Sequence, residues 1–372
     1  MKSVMKSVMA LCRVLASSAS VALAVLPFAT LAPVAAQAQF YKGKTITEII
    51  NYPAGGPTDL EGRIVAQFLP AHIPGHPTVI VKNVGGAGGI VGSNELGAAT
   101  PNGETIGFFT LDVVSQILSN SALKVPYSDF VFIAGVESPL VVYIRKDTPP
   151  GIQTPADVMK ANGFKALSLN AENSNTLNID FALDLLGVKY EPIPAYRGLK
   201  EVETAILQNI GQAANTSLSG WAGSVEPTMG KEGIILPLYQ LSPRKGDGYP
   251  RTKALPNMQT FEEFYASVHP DKPLAGQLKY RALRAIEDPQ LAMFRTALVP
   301  PKTPDDVVAV LQAAFIEMWK DPQFLTAYSN VIKTEPIMVT AQEGQQVLAG
   351  LANVPDDVKS FVVKYIADMT AK

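Results

Sequence analysis

The residues best placed for chemistry lie in one short stretch, Tyr52 to Glu61, which reads Tyr-Pro-Ala-Gly-Gly-Pro-Thr-Asp-Leu-Glu. Its paired glycines allow a tight turn, and Pro57 suits the first turn of a helix, where no amide hydrogen is needed. A helix that begins where a strand ends presents unpaired N–H groups and a positive dipole end, which attract carboxylates and phosphates. The stretch predicts either an anion-binding turn or an ordinary strand-to-helix connection of an α/β domain.

Two further features of the sequence each allow a structural and a chemical interpretation. Thr58 to Glu61 has the spacing of a capping box, so Asp59 reads more readily as a cap than as a general base or metal ligand. Tyr196 and Arg197 precede a predicted helix, where they form either a solvated surface feature or a charged fork for a ligand carboxylate.

Several motifs that would indicate an enzyme fail on inspection. The glycine-rich run from Gly86 has Val91 where a dinucleotide loop needs its third glycine. The Gly-Lys-Thr of a phosphate-binding loop occurs at Gly43, but Ala38 replaces the first glycine. His72 and His76 have zinc-site spacing, yet a Pro-Gly pair between them ends the helix. We therefore expect no cofactor, no metal and no catalytic activity.

The first 38 residues have the character of a cleaved secretory signal peptide. They combine a basic start, an apolar run broken by prolines and a final Ala-Gln-Ala before Gln39, whereas a membrane anchor would lack the cleavage site. The single cysteine, Cys12, lies inside this segment, so the mature chain has no thiol. We expect a soluble, exported protein.

Length and charge limit the remaining function classes. Three of the 31 basic residues lie in the leader, which leaves 28 against 33 acidic residues and a formal charge of −5. That balance argues against a nucleic-acid partner, for which a concentrated basic face is expected.

The mature chain of about 330 residues exceeds what one core usually covers, so two lobes are expected. Strands alternating with helices predict doubly wound α/β lobes, with ligands outside the carboxyl ends of strands.

Five blocks in order along the chain carry a family resemblance. They are Tyr52–Asp59, Val81–Ile90, Ala99–Thr105, Pro194–Gly198 and Arg295–Pro304. Together they resemble the periplasmic substrate-binding proteins of tripartite tricarboxylate transporters, the Bug or TctC family, over most of the mature chain. The resemblance implies a two-lobed periplasmic-binding-protein fold, type II-like, that closes on a small carboxylate. We expect lobe 1 to comprise 39–139 and 237–372, and lobe 2 to comprise 140–236.

Ligand contacts carried over from the family fall on both lobes. The expected ligand-binding residues are Tyr52, Ala54, Gly55, Gly56, Pro57, Thr58, Asp59, Thr110, Ser115, Asn170, Asn173, Ser174, Asn175, Thr176, Tyr196, Arg197 and Ser217. The second-lobe loop departs from the family's glycine- and serine-rich pattern. Glu172 within it would repel an anion, so we expect it to point outward or the ligand to be unusual.

The sequence thus predicts a receptor that captures a di-, tri- or aromatic carboxylate and delivers it to membrane transporter subunits. Two alternatives stay open. One is an exported hydrolase or isomerase that uses Asp59 with Glu172, and the other is a ligand sensor that partners a membrane kinase. The identity of the acid is not determined by the sequence.

Overall fold

The computed structural model describes residues 40–371, so the predicted signal peptide and Cys12 lie outside the described residues. The strands, in chain order, are β1 (Thr45–Ile50), β2 (Thr78–Asn83), β3 (Thr105–Phe109), β4 (Val131–Glu137), β5 (Leu140–Arg145), β6 (Asn162–Ser168), β7 (Lys189–Pro194), β8 (Ala213–Ser217), β9 (Ile235–Leu241), β10 (Arg295–Val299) and β11 (Ile337–Val339). The main helices are α1 (Pro57–His72), α2 (Ile90–Ala98), α3 (Val113–Ile117), α4 (Ser174–Leu186), α5 (Leu199–Leu207), α6 (Phe261–Val268), α7 (Leu278–Ala292), α8 (Asp305–Met318), α9 (Pro322–Ile332), α10 (Ala341–Gly350) and α11 (Asp356–Thr370).

The strands form two mixed sheets. The first has the order β11-β4-β10-β3-β1-β2 and the second has the order β7-β6-β8-β5-β9. Parallel pairing joins β1 to β2 and β3, and joins β6 to β7 and β8. In contrast, β10 pairs antiparallel with β3 and β4, and β5 pairs antiparallel with β8 and β9. The α/β architecture expected from the sequence is present, with antiparallel strands added where the chain passes between sheets.

Helix α1 sits close against the strand that precedes it. A Cβ atom at Gly62 would lie 2.6 Å from the Cδ1 atom of Ile50, so only glycine allows this approach. Ile64, Val65 and Leu69 are buried on the same helix, which agrees with an apolar face toward the sheet. The beginning of α1 is thereby fixed at the carboxyl end of β1.

Helices from the C-terminal part of the chain contact both sheets. Helix α7 packs against α4, which follows β6 of the second sheet, and also contacts β4 of the first. The ring of Phe181 on α4 lies 5.7 Å from that of Phe361 and 4.8 Å from that of Tyr365 on α11. These helices contact both sheets, so they do not mark a boundary between lobes. The expected lobe boundaries after residues 139 and 236 therefore stay a prediction. Within residues 40–371, no helix has the length and hydropathy to cross a membrane.

Candidate functional site

The turns that follow β1 and β3 are tied to each other by a pair of hydrogen bonds. The Nδ2 group of buried Asn51 donates to the carbonyl oxygen of Thr110 at 2.9 Å, and the Thr110 N–H donates to Asn51 Oδ1 at 3.1 Å. Thr110 is also 2.9 Å, Oγ1 to Oγ1, from Thr58 in the first turn of α1. Neighbouring parallel strands end at the same edge of a sheet, so these bonds hold two loops in register there.

Asp59 holds the turn that precedes α1. Its Oδ2 atom accepts from the Gly55 N–H at 2.8 Å and from Arg63 Nε at 2.9 Å, while Oδ1 accepts from Asn83 Nδ2 at 2.8 Å. Partial burial raises the pKa of Asp59, but these hydrogen bonds outweigh burial and hold it below its ordinary value. Gly55, at φ 82°, occupies the left-handed region that favours glycine. The carboxylate of Asp59 is fully engaged in supporting the turn.

The predicted capping box at the start of α1 is wrong. The N-cap is Gly56, two residues before the Thr58 of that box, and no side chain caps the helix. The hydroxyl of Thr58 bonds Thr110, and Glu61 turns into the protein interior, since both side chains find tertiary partners. Among residues 40–371, no acceptor bonds the amide N–H groups of Gly56, Thr58 or Asp59. These groups are the unpaired donors that an anion would meet.

Arg295, the first residue of β10, brings a buried cation to this point. It is 1% exposed. Its Nη1 atom donates to Thr110 Oγ1 at 2.7 Å, and Nη2 donates to Ser217 Oγ at 3.1 Å and to Ser219 Oγ at 3.0 Å. Its Nε atom is 2.7 Å from Glu61 Oε1. The guanidinium therefore links the loop after β3 in the first sheet to the loop after β8 in the second.

The carboxylate of Glu61 balances the charge of Arg295. Glu61 is 3% exposed, and its Oε2 accepts from the hydroxyl of Tyr328 at 2.7 Å. A buried charge without a partner is costly, so this arrangement lets the guanidinium persist in the interior.

Helix α4 begins differently from α1. Its N-cap, Asn173, accepts from the Asn175 N–H at 2.9 Å. The N–H of Ser174 donates to Asp112 Oδ1 at 2.9 Å, and its hydroxyl donates to the same oxygen at 2.8 Å. Burial raises the pKa of Asp112 to about 6, although hydrogen bonds from Ser115 and Ser174 lower it. Two of the first amides of α4 thus already have acceptors within the protein.

A cavity of about 180 Å³ lies between these two helix starts. Nine of the expected ligand-binding residues line it, namely Tyr52, Ala54, Gly56, Pro57, Thr58, Thr110, Asn173, Asn175 and Ser217. Ten residues that are not among the expected ligand contacts also line it, namely Pro53, Leu140, Leu169, Gly198, Leu199, Lys200, Glu201, Gln290, Phe294 and Arg295. The wall combines residues from both sheets, with apolar side chains around a small set of polar groups.

The other expected residues lie behind the wall or outside it. These are Gly55, Asp59, Ser115, Asn170, Ser174, Thr176, Tyr196 and Arg197. The side chain of Arg197 is 83% exposed and forms an ion pair with Glu201 at 2.9 Å. This favours the interpretation of Tyr196 and Arg197 as a solvated surface feature. Ser115 is buried and donates to Asp112, so it supports the second helix start without reaching the cavity.

The two acids of the catalytic alternative do not meet in the cavity. Asp59 is engaged by three donors as described, and Glu172 is exposed and accepts from Asn120 Nδ2 at 2.8 Å. Neither residue lines the cavity wall. The outward position expected for Glu172 agrees with the structure. Within residues 40–371, there is no group of three metal-ligating side chains.

Arg295 is the principal residue that the sequence analysis missed. It lies in the block Arg295–Pro304, which carries part of the family resemblance, but it is not among the expected ligand-binding residues. The available signal was a charged residue at the start of the otherwise apolar run Arg295-Thr-Ala-Leu-Val299, which forms a fully buried strand. A cation at the end of a buried strand needs partners and often marks a site.

Comparison with known proteins gives relatives in sequence. No family model matches the chain. A UPF0065 protein from the TAR-I ttuE-ttuC' intergenic region of Agrobacterium vitis is 26% identical over 323 residues, which are 83% of this chain and 81% of the relative. The protein BugT of Bordetella pertussis is 36% identical over 75 residues, which are 20% of this chain and 22% of BugT.

Solved structures share the fold over nearly their whole length. A TctC solute binding protein from Polaromonas matches with a TM-score of 0.56 and 21% identity, covering 87% of this chain and 99% of that protein. MatC from Rhodopseudomonas palustris with bound malate matches with a TM-score of 0.62 and 17% identity, at coverages of 87% and 99%. A second R. palustris protein, with adipate, matches with a TM-score of 0.66 and 15% identity, at coverages of 86% and 97%.

The sequence relatives and the shared two-sheet architecture agree with the motif blocks noted along the chain. The chain is similar in sequence to a UPF0065 protein and to BugT, and it shares the fold of a solved TctC solute-binding protein.

Proposed function

We propose that this protein is a periplasmic receptor that holds a small organic carboxylate in the cavity between its two sheets. It delivers that ligand, chemically unchanged, to the membrane subunits of a tripartite tricarboxylate-type transporter. The observation that carries the proposal is the buried guanidinium of Arg295 on the cavity wall, next to the unbonded amides at the start of α1.

The polar groups of the first helix start suit a carboxylate. A guanidinium is planar and always charged, and it offers donors in a fork that fits a carboxylate. Nη1 of Arg295 bonds Thr110, and its second N–H has no acceptor among the described residues. The hydroxyls of Thr58, Thr110 and Ser217 line the same cavity. Each can rotate to donate to an anion, so the site can replace much of the ligand's hydration with fixed donors.

The size of the cavity favours a small ligand. Pockets for drug-sized molecules usually span about 300–1,000 Å³. This cavity, at about 180 Å³, is smaller and fits a compact organic acid. Two structural neighbours hold malate and adipate, which are small carboxylates, and this supports the same ligand class here.

A sensor that passes the ligand-bound state to a membrane kinase would use the same binding chemistry. The similarity to a Bug protein in sequence and to a solute-binding protein in fold favours transport. No described contact favours the hydrolase or isomerase alternative, because Asp59 and Glu172 do not line the cavity.

The test is a thermal-shift screen of the mature protein against a panel of organic acids, followed by calorimetry on each acid that raises the unfolding temperature. Binding at a hundredfold excess over the dissociation constant should stabilise the protein by about 3 kcal/mol. Every acid of the panel leaving the unfolding temperature unchanged would contradict the proposal.

The variant Gly56→Leu tests whether the ligand binds in this cavity. Gly56 lines the cavity with extended φ of −85°, and a Cβ atom there would lie 3.6 Å from its nearest neighbour, the Pro53 carbonyl oxygen. The fold therefore tolerates a side chain, which would occupy ligand space and weaken binding by about tenfold or more. Gly248→Leu is the matched control, because a Cβ atom there has open space on an exposed turn. Equal affinities of the two variants would place the site elsewhere.

A further inference from the structure

Gln290 brings an unpaired donor group to the cavity wall. It lies in the last turn of α7, is 5% exposed and lines the cavity. Its Oε1 atom accepts from the Nδ2 group of fully buried Asn178 on α4 at 2.9 Å. Among residues 40–371, no acceptor bonds the Nε2 group, and this group is not one of the enclosed unpaired atoms. The small accessible part of the side chain therefore includes the NH2 group, which faces the cavity.

The orientation of this amide follows from its pairing with Asn178. The pairing leaves the Oδ1 atom of Asn178 enclosed without a donor among the described residues. If both amides were turned over, the NH2 group of Asn178 would be enclosed instead, and unpaired buried N–H groups are rarer in proteins than unpaired buried oxygens. Gln290 thus presents its N–H groups, and not its oxygen, to a ligand.

The other amide side chains of the wall have their donors engaged. The Nδ2 atom of Asn173 is 3.4 Å from the Gly88 carbonyl oxygen, and the Nδ2 atom of Asn175 is 2.5 Å from Oδ1 of Asn215. Within the part of the chain that the structure describes, Gln290 is the amide side chain of the wall whose NH2 group has no acceptor.

The start of α5 adds further donors to the same wall. Gly198, Leu199 and Lys200 line the cavity, and no acceptor within residues 40–371 bonds their amide N–H groups. The adjacent carboxylate of Glu201 forms an ion pair with Arg197. The cavity therefore has open donors on α5 and α7 as well as at α1 and Arg295.

These donors exceed what one carboxylate can accept. An ionised carboxylate has about four acceptor sites. The N–H groups of Gly56 and Thr58, the second N–H of Arg295 Nη1 and a threonine hydroxyl suffice to fill them. A donor that loses water in a filled cavity without gaining an acceptor costs free energy. A ligand that fills this cavity therefore needs a further acceptor.

We propose that Gln290 binds the ligand directly, and that its NH2 group donates to an acceptor oxygen other than those of the first carboxylate. The ligand is then an acid with a second acceptor oxygen, carried by a ketone, an aldehyde or a second carboxylate. The inference rests on the proposed function, because it specifies which acids the same cavity selects.

Matched ligand series test the inference by calorimetry on the wild-type mature protein. Each series holds the carbon skeleton constant and changes the second acceptor: butanoate, succinate semialdehyde and succinate; pentanoate, levulinate and glutarate; para-methylbenzoate, para-formylbenzoate and terephthalate. In every series that binds, at least one acid with a second acceptor should bind about tenfold more tightly than the plain acid. Either rank of the carbonyl acid and the dicarboxylate supports the inference, and the rank identifies the second acceptor as neutral or charged.

Two variants assign the effect to Gln290. Gln290→Glu keeps an oxygen for Asn178 and replaces the NH2 group by an acceptor of nearly equal shape, so the advantage should be lost and the dicarboxylate should weaken most. Gln290→Met removes the NH2 group without adding charge and should bring the favoured acid to within about twofold of the plain acid. Gln342→Glu, the same charge change at an exposed position outside the cavity, is the control and should leave the affinities unchanged. A loss of packing alone would weaken all acids alike, whereas the proposed role changes the ratio between them.

The outcomes distinguish this inference from the proposed function. Equal affinities of the plain acid and both acceptor-carrying acids for the wild type would overturn the inference and leave the receptor function standing. An advantage that persists in Gln290→Met would overturn the assigned role of Gln290, and so would a dicarboxylate that remains the tightest ligand of Gln290→Glu. Failure of every acid in every series to bind would overturn the receptor function and this inference with it.

Discussion

The two helix starts that border the cavity differ in what they do with their amides. At α1, the N-cap is a glycine without a side-chain cap, and nearby N–H groups have no acceptor among the described residues. At α4, Asn173 and Asp112 accept the first amides. Both helices begin beside one cavity, but α1 leaves more of its first amides without acceptors than α4 does. A helix N-terminus is therefore a binding site only where the protein does not fill it.

Charge follows the same division. The open start at α1 is accompanied by the cation of Arg295, and the filled start at α4 is accompanied by the carboxylate of Asp112. Arg295 lines the cavity, whereas Asp112 is buried behind the wall at the start of α4. This polarity implies that a bound acid has a defined orientation.

Of the substitutions near the start of α1, replacement of Arg295 should cause the largest loss of stability. Arg295→Met leaves Glu61 as a buried carboxylate with only Tyr328 as its hydrogen-bond donor, which should lower the free energy of unfolding by about 3–5 kcal/mol. The double variant Arg295→Met, Glu61→Gln removes both charges and should recover most of that loss. Urea denaturation followed by circular dichroism measures both.

The exposed pair Arg281–Asp357 is the matched control, and Arg281→Met should change stability by less than about 1 kcal/mol. Equal losses in the single and the double variant would show that packing, and not the Arg295–Glu61 charge pair, maintains this side of the cavity.

A second prediction concerns Asp180, a buried carboxyl group on α4. Burial, with the nearby charge of Asp184, raises the pKa of Asp180 to about 7, and both carboxylate oxygens lack partners among the described residues. The pKa is higher in the folded than in the unfolded chain, so the wild type should lose stability as pH rises from about 4 to about 7. Asp180→Asn removes this dependence and should be more stable than the wild type at pH 8 by about 2–4 kcal/mol.

Urea denaturation of the wild type and Asp180→Asn at pH 5 and pH 8 measures this difference. At pH 5, where Asp180 is protonated in the folded state, the variant should gain much less. Asp247→Asn, with an exposed aspartate, should show no comparable change with pH. A stability difference for Asp180→Asn that is the same at both pH values would contradict the raised pKa.

The smallest predicted effect compares the two N-caps directly. Asn173→Ala removes the acceptor of the Asn175 N–H and should cost about 1 kcal/mol of stability. Gly56→Ala removes no cap hydrogen bond, and its Cβ atom has room, so its cost should be about 0.5 kcal/mol or less. Urea denaturation of both variants tests the contrast, which would fail if Gly56→Ala were the more destabilising of the two.

The sequence predicted the turn before α1 and the alternation of strands and helices along the chain. The turn after β1 follows from residues that are neighbours in the chain, namely the paired glycines and Pro57, whose backbone preferences act locally. The capping box failed because Glu61 has a stronger tertiary partner, Arg295, which is far away in sequence. Sequence spacing carries no information about such a partner.

The contacts at the start of α4 could not be predicted from neighbouring residues. The sequence predicts a second-lobe loop that includes Asn170 and Thr176, but Asp112, which accepts the first amide of the following helix, lies 62 residues before Ser174. Arg295 and Thr110 are separated by 185 residues. Their proximity depends on an antiparallel strand inserted beside β3, a pairing that hydrophobic periodicity alone does not specify.

The central claim is that the cavity recognises the negative charge of one carboxylate through the open start of α1 and Arg295. Calorimetric titration of the wild-type mature protein with acid and amide pairs of equal shape, such as benzoate with benzamide and hexanoate with hexanamide, tests it most directly. The account predicts that at least one acid binds and that its amide binds about 100-fold more weakly or not at all. Equal affinities for an acid and its amide, or no binding of any acid, would contradict it.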